Sequence, residues 1–159
     1  MVFILVWRNP NFNEKFDGIV YAVSVALGFA AIENLFYVFS NNSLQVGLLR
    51  AFTAVPAHAI FGIVMGFYLG LARFGVQQRG KWLLRAFTVP WLFHGIYDFL
   101  LMSGYPLLLL IFIPFLFYMY RYGLKKMREL NESSVFNPAN INFMLQREEY
   151  QEEQENKNT

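Results

Sequence analysis

Four residues of this sequence, Glu33, His58, His94 and Asp98, have the types and positions that could carry chemistry. All four lie inside long apolar runs, and they include both histidines of the chain. A charged group at the centre of a bilayer costs roughly 2.5–3.5 kcal/mol on insertion scales, so such residues are functional candidates by default. His94 and Asp98 are four residues apart, so they share a helix face on which the carboxylate can orient the imidazole.

The chemistry that these side chains support is the activation of water or the handling of protons or ions. A carboxylate in apolar surroundings can act as a general acid or base near neutral pH. Glu33, His58 and His94 are also a sufficient ligand set for a catalytic divalent metal such as Zn with an open position. The absence of cysteine excludes a disulfide framework, a thiolate zinc site and a cysteine nucleophile.

The composition predicts that membrane-spanning helices position these residues. Of 159 residues, 56% are hydrophobic and only 15% are charged, whereas soluble domains are about 25% charged. Each of four apolar runs has about the 20 residues needed to cross a bilayer. We therefore predict an all-α fold, a polytopic integral membrane helix bundle with about four transmembrane helices and a partial N-terminal helix at Val2–Trp7. The predicted spans are roughly Ile19–Phe39, Ala51–Ala72, Leu83–Ser103 and Tyr105–Tyr122.

The charges divide the chain into three parts and predict its orientation. Residues 1–17 are interpreted as the remnant of an upstream helix and a cytoplasmic loop, residues 18–123 as the four-helix transmembrane domain, and residues 124–159 as a polar, acidic cytoplasmic tail. Nearly all basic residues fall on one side of the spans, so the N-terminus, the middle loop and the tail are predicted to be cytoplasmic in a multi-pass cell-membrane protein. The net charge of +2 gives no indication of a nucleic-acid partner.

This orientation places the four candidate residues at similar depths in the outer half of the bilayer. Small residues recur at every fourth position near them, which lets helices approach closely. We therefore expect Glu33, His58, His94 and Asp98 to converge on one cavity that opens to the outer half. Arg50, at the outer end of the second span, is interpreted as an interface anchor. The small-residue ridges are Gly18, Ala22, Ala26, Ala30 and Asn34, and Ala54, His58, Gly62, Gly66 and Gly70.

Three ordered motifs resemble those of the PrsW intramembrane proteases, which are distantly related to the type II CAAX prenyl proteases. The segment Gly28–Asn34 resembles their FxxxE(N) motif, and Arg50 through Pro56–Gly62 looks like their second motif. His94–Asp98 resembles their HGxYD motif. The resemblance implies a glutamate- or metal-dependent endopeptidase that cleaves membrane-anchored proteins, such as anti-sigma factors, near the outer membrane face. It implies catalytic roles for Glu33, His58, His94 and Asp98, with Asn34 as a candidate oxyanion donor.

One departure from the family pattern leaves alternatives open. The family carries an EExxK motif on the helix before the first span, and Glu14-Lys15 in a polar loop does not replace it. Either this chain is a truncated form of an active enzyme, or it is a short homologue that has lost the base for the attacking water. The alternatives to a protease are a non-catalytic membrane scaffold of the same family and a proton- or ion-conducting bundle. The partners expected in the leading interpretation are a membrane-anchored protein substrate and the lipid bilayer.

Overall fold

Six helices make up the part of the chain described by the computed structural model, residues 2–75 and 77–157, in which no strand occurs. The all-α prediction is therefore confirmed. The helices are α1 (Val2–Val6), α2 (Asp17–Asn41), α3 (Leu44–Phe74), α4 (Arg79–Met102), α5 (Pro106–Glu132) and α6 (Pro138–Lys157).

Three of these helices, α2, α3 and α5, are long and apolar enough to cross a membrane, and the chain is a membrane protein. Helix α4, the predicted third span, has 24 residues and would reach about 36 Å at about 1.5 Å per residue. Its composition is not apolar enough to identify it as a membrane span in the same way, because it begins with Arg79, Lys81 and Arg85 and also carries His94 and Asp98.

Helix α3 is the central element of the bundle, and α2, α4 and α5 pack around it. In the most apolar 18-residue stretch of α3, 72% of the residues are buried, whereas the corresponding stretches of α2 and α5 are 17% and 11% buried. Glycines allow the closest of these contacts. A Cβ atom on Gly62 would lie 2.8 Å from Val23 Cα and 3.1 Å from Ala22 O. The two predicted small-residue ridges therefore pack against each other.

The connections between helices are shorter than the sequence predicted. The long connection implied by the predicted spans Ile19–Phe39 and Ala51–Ala72 is wrong, because α3 already begins at Leu44 after a two-residue turn. Asn42 closes α2 in the left-handed conformation with φ of 47°, and the Ser43 side chain caps α3 by accepting from the Val46 N–H. The consequence is that Arg50 lies within α3 rather than in a loop.

The described part of the polar tail is mostly helical. Helix α5 continues to Glu132, and α6 follows after a short turn. That turn is tied to the loop before α2, because the buried Ser134 hydroxyl lies 2.8 Å and 2.9 Å from the two carboxylate oxygens of Glu14. The Val135 N–H also donates to Glu14. The end of α5 is therefore fixed against the base of α2.

Candidate functional site

The candidate site is built around the Glu33 carboxylate, which α2 projects toward α3. Arg50 Nη2 donates to Glu33 Oε2 at 2.7 Å. His58 Nε2 lies 3.1 Å from the same oxygen, and because a carboxylate can only accept, the ring donates through Nε2 in this arrangement. Glu33 therefore has one oxygen shared by two donors on α3.

His58 occupies the floor of the site on the central helix and has a side chain only 8% exposed. Its ring centroid lies 5.6 Å from that of Phe29 on α2 and 5.6 Å from that of Phe61, one turn further along α3. The His94 ring of α4 lies 5.1 Å from the His58 ring. Aromatic packing thus fixes His58 between the helix that carries Glu33 and the helix that carries His94.

His94 and Asp98 form the wall of the site that α4 contributes. His94 Nδ1 lies 3.5 Å from Asp98 Oδ2, as expected for residues four apart on one helix face. Phe61 packs edge-on against the His94 ring at a centroid distance of 5.3 Å. Asp98 is therefore placed to hold Nδ1 and to leave Nε2 of His94 available for chemistry.

All four candidate residues line one cavity of about 240 Å³ near the ends of α2 and α4 and the start of α3. Two carboxylates face one guanidinium across this cavity, so its wall is net negative while both histidines are neutral. Such a wall favours a bound cation. The other lining residues are Tyr37, Asn41, Val46, Ala54, Tyr97, Leu101 and Met102.

The donor atoms present fit a divalent cation. Glu33, His58 and His94 each offer one ligand atom, and these atoms lie within 4.8 Å of one another. Two imidazoles and one carboxylate are a known ligand set for catalytic zinc, in which a fourth position stays open for water. Groups that ligate a metal are usually held by an outer partner, and here Arg50 donates to Glu33 while Asp98 lies 3.5 Å from Nδ1 of His94.

Comparison with known proteins identifies the family of the chain. The family described as "PrsW family intramembrane metalloprotease" matches residues 1–120. The chain belongs to the PrsW family. The matched region contains every residue of the cavity, from Glu33 to Met102.

Curated relatives named Protease PrsW share one third to two fifths of their aligned residues with this PrsW-family chain. The relative from Oceanobacillus iheyensis is 40% identical over 133 residues, which cover 84% of this chain and 61% of the relative. The relative from Geobacillus kaustophilus is 42% identical over 103 residues, covering 65% and 45%. That from Bacillus subtilis is 39% identical over 130 residues, covering 81% and 59%. The chain thus spans about half of the length of these relatives, and no solved structure matches it.

Arg50 is the residue of this PrsW-family cavity whose place the sequence interpretation missed. Its position just before a span predicted to begin at Ala51 favours an interface anchor, but α3 begins at Leu44 and places Arg50 within the helix. A usable signal was present, since Arg50 extends the Ala54, His58, Gly62 ridge by one further step of four residues. Asn34, the candidate oxyanion donor, instead donates to the Gly47 carbonyl at 3.1 Å and does not line the cavity.

Proposed function

We propose that this chain carries the site of an intramembrane endopeptidase that hydrolyses membrane-anchored proteins. One observation carries the proposal, namely that three helices bring Glu33, His58 and His94 within 4.8 Å of one another at their ligand atoms, inside one cavity. Family membership and relatives named Protease PrsW support the same reaction class. A site that serves only to align the helices would not need a cavity beside its polar groups.

The proposed reaction is hydrolysis of a peptide bond. The water oxygen bonds to the carbonyl carbon, the C–N bond breaks, and a proton passes to the leaving amine. Glu33 is the proposed group that accepts a proton from the attacking water, because its carboxylate reaches the cavity and only Oε2 is hydrogen-bonded by the described residues. Asp98 orients the His94 ring through Nδ1, and the two histidines polarise the water or the scissile carbonyl.

In a metal-dependent form of this reaction, Glu33, His58 and His94 would be the ligands, and Glu33 would then hold the cation instead of accepting the proton. A divalent cation bound there would supply Lewis acidity and make a water molecule more acidic. The remaining steps belong to this chain's own residues. Asp98 selects the tautomer of His94, and the aromatic rings of Phe29 and Phe61 limit the water around His58.

The proposed substrates are proteins anchored by a transmembrane segment, with anti-sigma factors as the proposed example. In the proposed orientation, inferred from the basic residues, the N-terminus, the loop between α3 and α4 and the tail lie in the cytoplasm of the cell. The cavity, at the ends of α2 and α4, then opens to the outer half of the bilayer. Cleavage is therefore proposed to occur near the outer membrane face.

The experiment is to co-reconstitute the chain in liposomes with a reporter that has one transmembrane segment and an outer tail. The reporter should be cut at a position that mass spectrometry maps to the outer third of its transmembrane segment or to the adjoining residues. The matched control is the same preparation with His58→Gln, which should leave the reporter intact. Cleavage mapped to the cytoplasmic end, or equal cleavage by the His58→Gln variant, would contradict the proposal, and no cleavage at all would favour a scaffold.

A further inference from the structure

Arg50 contacts Glu33 but has no part in the reaction steps proposed above. Its Nη2 binds Glu33 Oε2 at 2.7 Å, and His58 Nε2 approaches the same oxygen at 3.1 Å. Among the described residues, none forms a hydrogen bond to the second oxygen, Oε1. The two donors therefore occupy one side of the carboxylate and leave the other side for a ligand.

Arg50 is itself held in place, which a solvated anchor at a membrane interface would not require. Its guanidinium carbon lies 3.6 Å from the centroid of the Tyr37 ring, a cation–π contact with α2. The Arg50 side chain is only 19% exposed. Tyr37 lies one turn beyond Glu33 on α2, so the Tyr37 ring and the Glu33 carboxylate both contact the Arg50 guanidinium from the same helix.

The arrangement around Glu33 parallels the one around His94. On α4, Asp98 lies against Nδ1 of His94 and leaves Nε2 available. On α2 and α3, Arg50 lies against Oε2 of Glu33 and leaves Oε1 available. Outer partners of this kind fix the orientation of ligating groups, and their loss typically lowers metal affinity or activity about 10–100-fold.

We propose that Arg50 is a positioning residue of this site, which holds Glu33 Oε2 so that Oε1 is presented to a divalent cation or to water in the cavity. The inference rests on the proposed function for the identity of the site. It assigns Arg50 a directional role, because the guanidinium held against the Tyr37 ring fixes the direction from which Nη2 meets Glu33 Oε2, which a flexible ammonium group would not do.

The test is to titrate Co²⁺ into the chain in lipid nanodiscs and to follow visible absorption, which reports metal bound to nitrogen and oxygen ligands. Arg50→Gln should bind Co²⁺ about 10–100-fold more weakly than the unmodified chain. Arg50→Lys should lie between the two, since it keeps the charge and loses the planar group that packs against Tyr37. Arg147→Gln, an exposed change of the same type on α6, should bind as the unmodified chain does, and His58→Gln should abolish the signal.

The outcomes separate this inference from the proposed function. Equal or tighter Co²⁺ binding by Arg50→Gln overturns the positioning role, whereas weaker binding without reporter cleavage supports the role and contradicts the protease.

If the unmodified chain cleaves the reporter but binds no Co²⁺, Arg50→Gln should lower kcat about 10–100-fold at unchanged KM, and unchanged kcat overturns the inference. If the unmodified chain neither binds Co²⁺ nor cleaves the reporter, the inference and the proposed function are both overturned. If Arg50→Gln does not fold, Arg50→Lys alone decides, and binding or kcat equal to that of the unmodified chain overturns the role.

Discussion

The Glu33 carboxylate meets two donors at one oxygen, and this asymmetry gives the candidate site its chemical character. Arg50 and His58 approach Oε2 at 2.7 Å and 3.1 Å. A carboxylate that loses its solvation in a membrane must recover it from charge and hydrogen bonds. The guanidinium supplies this compensation and still leaves Oε1 for water, a cation or substrate. The residue that is most costly to bury is therefore also the residue best prepared to react.

Asp98 provides a prediction at the same scale. Asp98→Asn keeps the shape of the side chain and removes the charge that fixes the His94 tautomer, so reporter cleavage should fall about 10–100-fold. The measurement is kcat for reporter cleavage at equal amounts of folded protein. Glu132→Gln, which removes an exposed carboxylate at the end of α5, should cleave at the rate of the unmodified chain. An unchanged rate for Asp98→Asn would contradict the orienting role.

The sequence predicted most of this cavity but not all of it. Spacing of four residues and similar depths in three helices were enough to expect Glu33, His58, His94 and Asp98 around one cavity. Arg50 has the same spacing of four residues from Ala54 and His58, but an arginine near a span end is typical of an interface anchor, and that interpretation outweighs the spacing. Its pairing with Glu33 depends on where α3 begins, and propensity and pattern fix element boundaries only to within a few residues.

At the scale of the elements, the contact between α2 and α3 sets the geometry of the site. Glu33 and His58 come from these two helices, so their 3.1 Å separation depends on the close approach that Gly62 permits. Ala22, whose carbonyl lies beside Gly62, is fully buried in this contact. In a bilayer, small residues allow this approach and the packing contacts that hold helices together.

Gly62→Ala should therefore destabilise the bundle. The added Cβ would lie 2.8 Å from Val23 Cα and 3.1 Å from Ala22 O, so α2 must move away from α3. We expect a loss of about 1–3 kcal/mol in the free energy of unfolding, as is typical of overpacked cores. Reversible unfolding in mixed detergent micelles measures it.

Gly28→Ala is the matched control on α2, because an added Cβ there meets nothing within 4 Å. It should leave stability unchanged or raise it by up to about 1 kcal/mol, since alanine is the better helix former. Equal stability of Gly62→Ala and Gly28→Ala would show that the α2–α3 packing is looser than described.

The helices themselves were predictable to different degrees. Long apolar runs identified α2, α3 and α5, and Gly104, with φ of 73°, separates α4 from α5 where the sequence placed the break. The apolar pattern could not show that α3 begins at Leu44, because a turn of only two residues contains too little sequence to stand out. Nor could it predict α6, which has no sustained apolar repeat and is placed by hydrogen bonds from Asn140 to backbone carbonyls of Glu132 and Ser134.

At the scale of the whole molecule, one helix organises both the fold and the site. Helix α3 packs against α2, α4 and α5 and carries His58 and Arg50 at the cavity. The chain spans 45–61% of the length of the three relatives named above, so the activity of the whole protein is a proposal. The described chain already holds Glu33, His58 and His94 together in one cavity, without a rearrangement of its helices.

The most direct test of this account compares reporter cleavage by the unmodified chain and by Glu33→Gln, at equal amounts of folded protein in liposomes. The account predicts that the unmodified chain cleaves the membrane-anchored reporter and that Glu33→Gln lowers kcat by about 10²–10⁴-fold, the usual contribution of a general base. Glu132→Gln should leave kcat unchanged. Cleavage by Glu33→Gln at the rate of the unmodified chain would contradict the account, as would no cleavage by the unmodified chain.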